Sequence, residues 1–150
     1  MIMRLFEDEI YWVQIKDGDD RARALYRRHY SCYEYKDGRQ PKLFVGPGVK
    51  VVLIGKQNDA LFVWRKFKSL GNEHGINCAV FRNESNLLSS DLILQAEIII
   101  RKLYPKERLY TYVNSLKIKS TNPGCCFIKA GWKKCGITKK QKLIILEKNI

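Results

Sequence analysis

Residues 92–104 constrain the fold more than any other stretch of this sequence. Leu92, Ile93, Ala96, Ile99, Ile100 and Leu103 recur at the spacing of one helical face, and Pro105 cannot continue the helix. Ser89, Ser90 and Asp91, just ahead of it, are good helix-start residues. On either side lie strand patterns, Ile76–Arg82 (INCAVFR) and Arg108–Asn114 (RLYTYVN). In the second, Leu109, Thr111 and Val113 alternate with Tyr110 and Tyr112. Around this strand–helix–strand run, further strands are expected at Ile10–Ile15, Val49–Ile54 and Ala60–Phe67, the last two as a hairpin. A helix is expected over residues 20–32, capped by Asp19 or Asp20. A short helix is expected to open at Asn122-Pro123 and close at Gly131, followed by a hairpin of Lys134–Thr138 and Leu143–Glu147. The order β, α, β, β, β, α, β, α, β, β, with no linker and no repeat, describes one α/β domain over residues 1–150, a mixed sheet flanked by helices.

Charge narrows the function. The 150 residues hold 28 Lys+Arg against 15 Asp+Glu, a formal net charge of +13. The excess is concentrated: residues 21–50 carry eight basic and two acidic side chains, and residues 115–150 carry nine lysines against Glu147 alone. Such self-repulsion is relieved by an anionic partner, and nucleic acid is the expected one, DNA before RNA. The competing reading is a solvated lysine face. No apolar run approaches the ~20 residues of a membrane span, and the N-terminus lacks a signal-peptide layout. Five cysteines, two of them adjacent at Cys125-Cys126, do not make a disulfide framework. A cytoplasmic location without membrane association is therefore expected. The oligomeric state is not legible.

The element order, together with the segment Phe127–Trp132 (FIKAGW) after NPGCC, resembles the GCN5-related N-acyltransferase (GNAT) superfamily. The likeness covers nearly the whole chain as topology and about half of it as motif. The strongly basic chain and the aromatic-rich blocks LYRRHYSC, FRNESNLLSSD and LYTYVN make it similar to the phage Mom-type DNA modification proteins of that superfamily. This resemblance implies transfer of a small acyl-derived group, from acyl-CoA or another acyl donor, to a nucleobase amine. Adenine is the implied base, reached by flipping it out of the stack. Two features depart from the GNAT pattern. The turn at residues 82–90 has no glycine to cradle a pyrophosphate, and Phe127 stands where many members have a proton-donating tyrosine. The alternatives are a conventional CoA-dependent N-acetyltransferase and a non-catalytic nucleic-acid-binding protein on the same fold.

The candidate residues follow. Arg82, Glu84, Tyr112 and Asn114 are the expected catalytic group: the guanidinium for phosphate, Glu84 as proton acceptor, Tyr112 to stack on a base or donate a proton. Asn83, Ser85, Ser89, Ser90 and Asn122 are the expected donor-binding residues; the competing readings are a polar loop with Arg82 and Glu84 simply paired, and plain helix capping by Ser89, Ser90 and Asn122. Arg27, Arg28, His29, Tyr30, Arg65, Lys66, Lys133 and Lys134 form the expected nucleic-acid footprint, joined by Lys129, Lys139 and Lys140 and interleaved with Tyr26, Trp64 and Trp132. Both tryptophans fit a core equally well. His29 and Cys32 are three apart, which without a second pair does not make a zinc motif; His29 is also read as a general base. Metal involvement stays open.

Overall fold

A computed structural model describes residues 10–29, 32, 35–67, 73–116 and 124–149. Within them the chain runs β1 (Trp12–Ile15), α1 (Asp20–Arg27), β2 (Val49–Gly55), β3 (Ala60–Lys66), β4 (Ile76–Asn83), α2 (Ser89–Leu103), β5 (Leu109–Val113), α3 (Cys125–Lys129), β6 (Lys133–Ile137) and β7 (Ile144–Lys148). The expected element order is reproduced, with boundaries moved by a few residues. Helix α1 stops at Arg27 rather than 32, with Arg28 as its C-cap. The expected start of α3 at Asn122-Pro123 lies outside the described residues. Gly124, in left-handed backbone, immediately precedes the helix.

The strands form one mixed sheet in the order β1-β2-β3-β4-β5-β7-β6. Every neighbouring pair is antiparallel except β4 and β5. A parallel pair needs a crossover, and α2, read from the sequence as the dominant helix, supplies it. The face under α2 and α3 holds Trp12, Phe62, Trp64, Ile76, Leu92, Ile93, Ala96, Ile100, Phe127, Trp132 and Leu146. The opposite face packs Val52, Ile54, Leu61, Val63 and Val80 against Ala22 and Leu25 of α1. The result is a three-layer sandwich in which each helix buries one stripe.

Tryptophans tie α2 to the sheet. The Trp12 indole N–H donates to the Leu92 carbonyl at 2.9 Å, and that of Trp64 to the Ala96 carbonyl at 3.0 Å. Trp64 stacks on Trp132 with ring centroids 6.2 Å apart. Both are buried, which removes them from the nucleic-acid footprint: their rings are large apolar surfaces and their N–H groups find partners inside the core.

The face of α2 differs from its apolar stripe in two places. Leu103 is 55% exposed, because the helix ends there and its last turn overhangs the sheet. Glu97 is buried instead, accepting from the Trp132 indole at 3.1 Å and pairing with the Lys148 ammonium at 2.8 Å. Lys148 also donates to the Ala130 carbonyl at 2.8 Å, so one ion pair fastens α2 to β7 and to the end of α3. A carboxylate so placed is tolerated because both its oxygens are engaged.

The contrast within one helix is measurable. Ile100→Ala is expected to cost about 2–5 kcal/mol in urea unfolding, as for a buried aliphatic. Leu103→Ala is expected to stay within about 0.5 kcal/mol of wild type, although periodicity alone puts both in the core.

Candidate functional site

The parallel ladder between β4 and β5 is short. It pairs Ile76, Asn77 and Cys78 with Leu109, Tyr110 and Thr111 and goes no further, although β4 continues to Asn83. The cause lies in the register with β3: Val63 faces Val80 while Trp64 faces Cys78, so Ala79 is an extra residue, a bulge. The bulge reverses the side-chain alternation. Cys78 packs under α2, whereas Ala79 and Val80 both pack on the α1 side, and Phe81 returns to the α2 side. At the point of parting the Thr111 hydroxyl donates to the Cys78 carbonyl at 2.9 Å, satisfying an acceptor at the ladder's end.

Beyond the bulge, β4 keeps β3 as its partner. The Glu84 amide donates to the Asp59 carbonyl at 2.7 Å, and Arg82 faces Leu61. In an antiparallel ladder, alternate residues turn their backbone groups toward the partner strand. Those of Arg82 therefore point to β3, and the N–H and carbonyl of Phe81 point the other way, into the gap that β5 has left.

The end of α1 closes on this gap. The His29 imidazole, half-buried, donates to the Phe81 carbonyl. Burial first, and the Arg82 charge, hold its pKa down to about 4 against the opposing effect of that hydrogen bond, so the ring is neutral at neutral pH. Beside it, Arg82 donates to the Arg28 carbonyl at 2.6 Å and to Glu84 at 2.6 Å. Arg28 grips both oxygens of the same carboxylate, at 2.7 and 2.8 Å. Hydrogen bonds from Arg28 and then Arg82 hold Glu84 down to about 2. Glu84 is thus a clamp between two guanidinium groups. Sequence reading singled out all four residues but assigned Glu84 the proton-accepting role, for which so acidic a group is poorly suited.

The turn from β4 into α2 is built on Asn83. Its amide nitrogen donates to the Leu87 carbonyl and the Ser89 hydroxyl, and its oxygen accepts from the Ser85 amide and hydroxyl. Asn83, Ser85 and Ser89 therefore hold one another. The N-cap of α2 is Leu88, with no side-chain cap, rather than a serine. Its first turn offers backbone N–H groups and the Ser90 hydroxyl, but it also carries Asp91, and Arg82 points away to Glu84. This is a poor fit to the pyrophosphate of coenzyme A. Asn122 lies outside the described residues.

Tyr112 and Asn114 belong to other neighbourhoods. Tyr112 packs edge-on to Tyr110, and burial, with the Glu73 charge, raises its pKa while the Glu73 amide opposes the rise. Next to them Arg108 is nearly buried, pairing with Glu147 at 2.6 Å and with Glu73 at 3.5 Å. Asn114 accepts from the Leu116 amide at 3.1 Å, a turn-forming role. Among the described residues no hydrogen bond or ion pair joins either of them to Arg82 or Glu84.

The footprint residues divide. Arg65 donates to the Pro47 carbonyl and lies over Phe67, and Lys66 pairs with Glu107 at 2.7 Å while lying over Tyr104. Arg28 is committed to Glu84, whereas Arg27, Lys133 and Lys134 are exposed. Tyr30 lies outside the described residues. No group of three or more potential metal ligands gathers among the described residues, and no helix among them is long and apolar enough to cross a membrane.

Acid sensitivity follows from the cluster. His29 holds fewer protons folded than unfolded between its unfolded value near 6.5 and about 4, so stability falls as pH falls through that window. Glu84 extends the loss from roughly 4.5 toward 2, because protonating it releases both arginines. Thermal melts of His29→Asn are expected to lose the upper segment of this pH dependence, and those of Glu84→Gln the lower.

A search of protein-family models finds none that matches this chain, and a search of curated proteins likewise finds no match.

Proposed function

We propose that this protein is a transferase on a GNAT-like plan, of the Mom type, that places a small acyl-derived group on a nucleobase amine in DNA, with adenine as the base. The observation that carries the reading is the gap opened by the Ala79 bulge, with the Phe81 backbone groups turned into it and His29 held on its rim. The sheet order, with its one parallel pair and α2 as crossover, supports the GNAT-like plan.

The chemistry assigned to the gap is acyl transfer. The amine nitrogen forms the new bond to the acyl carbon, the bond to the donor's leaving atom breaks, and the amine proton leaves with the departing group, while the neutral His29 ring, engaged with the Phe81 carbonyl, fixes the rim. The role assigned to the Phe81 N–H is to donate to the carbonyl oxygen as charge develops on it. Arg28 and Arg82, fixed by Glu84, hold the rim and favour an anionic substrate there. The donor is an activated acyl compound. Because α2 and its turn fit a pyrophosphate poorly, no role is assigned to coenzyme A, and a conventional N-acetyltransferase has less support. A non-catalytic nucleic-acid-binding protein is the second reading, favoured by the full engagement of Glu84 by arginines.

Nucleoside mass spectrometry of DNA from cells expressing the protein tests the proposal. A mass-shifted deoxyadenosine is expected with wild type, reduced roughly 10²-fold by His29→Ala, the scale of a misplaced reacting group. Unmodified DNA from cells with abundant folded wild-type protein contradicts it.

A further inference from the structure

The strongest unclaimed feature is the β6–β7 hairpin. From Lys133 to Lys142 it carries five lysines and no acidic residue. β6 is the outer strand of the sheet, and its side chains are almost all exposed. The one carboxylate in 124–149, Glu147, is taken by Arg108. The loop Lys139-Lys140-Gln141-Lys142 at the tip is not slack. The Thr138 amide donates to the Leu143 carbonyl at 2.9 Å, and the Leu143 amide donates to the Thr138 hydroxyl at 2.9 Å. Lys142 has φ 56°, a left-handed conformation usually given to Gly or Asn.

Lysines on an outer strand also protect a sheet edge from pairing with another chain. That explains Lys133 and Lys134 but not the tip, which lies beyond the ladder. It does not describe the opposite edge either, since β1 (Trp-Val-Gln-Ile) has no lysine. A cation kept at the left-handed position, in a closed loop with two more, holds three positive charges within about 10 Å of chain. Duplex DNA offers a negative charge every ~1.7 Å of its axis, so one such tip meets several phosphates at once.

We infer that the β6–β7 hairpin tip, through Lys139, Lys140 and Lys142, is a docking element for the phosphate backbone of DNA. It rests on the nucleic-acid reading above. It differs from the Arg28–Glu84–Arg82 cluster in being a sequence-independent anchor, whose cations have no acidic partner among the described residues. The anchor holds the duplex while a base is presented elsewhere.

Fluorescence anisotropy of a labelled random-sequence duplex over a series of KCl concentrations tests it. The comparison is between wild type, Lys139→Gln/Lys140→Gln/Lys142→Asn, and the charge-matched Lys36→Gln/Lys42→Gln/Lys56→Gln. Asparagine at 142 keeps the left-handed conformation accessible, and unchanged thermal melts verify the fold. The tip variant is expected to bind with a log–log salt slope shallower by about 2–3, at ~0.9 for each phosphate no longer neutralised, while the charge-matched variant keeps the wild-type slope. Equal slopes in wild type and tip variant, or equally shallow slopes in both variants, overturn the hairpin assignment and leave the nucleic-acid reading standing. Failure of wild type to bind DNA at low salt overturns both. Phosphatidylserine vesicles run in parallel identify a lipid surface as the partner instead if they alone bind and the tip variant releases them.

Discussion

The parallel pairing of β4 with β5 for only three residues is the constraint on which the rest of this structure turns. One extra residue, Ala79, sets where the pairing ends. Without a bulge, Phe81 would fall on the α1 side and Arg82 under α2, because a shift of one residue exchanges the two faces of a strand. With it, Phe81 joins Phe62 and Phe127 in the aromatic core, and Arg82 meets the end of α1. The same shift leaves the Phe81 backbone groups without a neighbouring strand, which is where His29 docks. A single-residue irregularity thus creates the gap and recruits its lining.

The gap needs rigid walls, and the aromatic core supplies them. Trp12 and Trp64 nail α2 to the sheet by their indole N–H groups, and the buried Glu97–Lys148 pair ties α2 to β7. On the other rim, Arg28, Glu84 and Arg82 lock the end of α1 to β4. That clamp accounts for a chain with a large positive charge keeping two arginines side by side: the carboxylate between them offsets their repulsion.

Sequence periodicity carried the architecture well. The apolar face of α2 as far as Ile100, the strands around it and the alternation Leu109/Thr111/Val113 against Tyr110/Tyr112 stand in the structure. What it missed depends on long-range placement. Glu97 is not singled out in the sequence, and only the arrival of Trp132 and Lys148 makes it a core residue. Trp64 and Trp132 fit a basic, aromatic surface and a core equally well, since composition does not say which face of a strand meets a helix; the structure buries both. The Ala79 bulge has no local signature in Cys78-Ala79-Val80, and the engagement of Glu84 by Arg28 joins residues 56 apart in sequence. Proximity of Arg82 and Glu84 was legible; the third partner, which changes what Glu84 can do, was not.

The central claim is that the gap between β4 and β5, rimmed by His29, receives the acceptor base. Titrating the isotope-labelled protein with a short adenine-containing single-stranded oligonucleotide tests it most directly by NMR. The account predicts that the largest shifts fall on the Phe81 and Asn83 amides and the His29 ring, with smaller ones along the basic surface. Binding that perturbs lysine-rich surface resonances while leaving those three unmoved would contradict it.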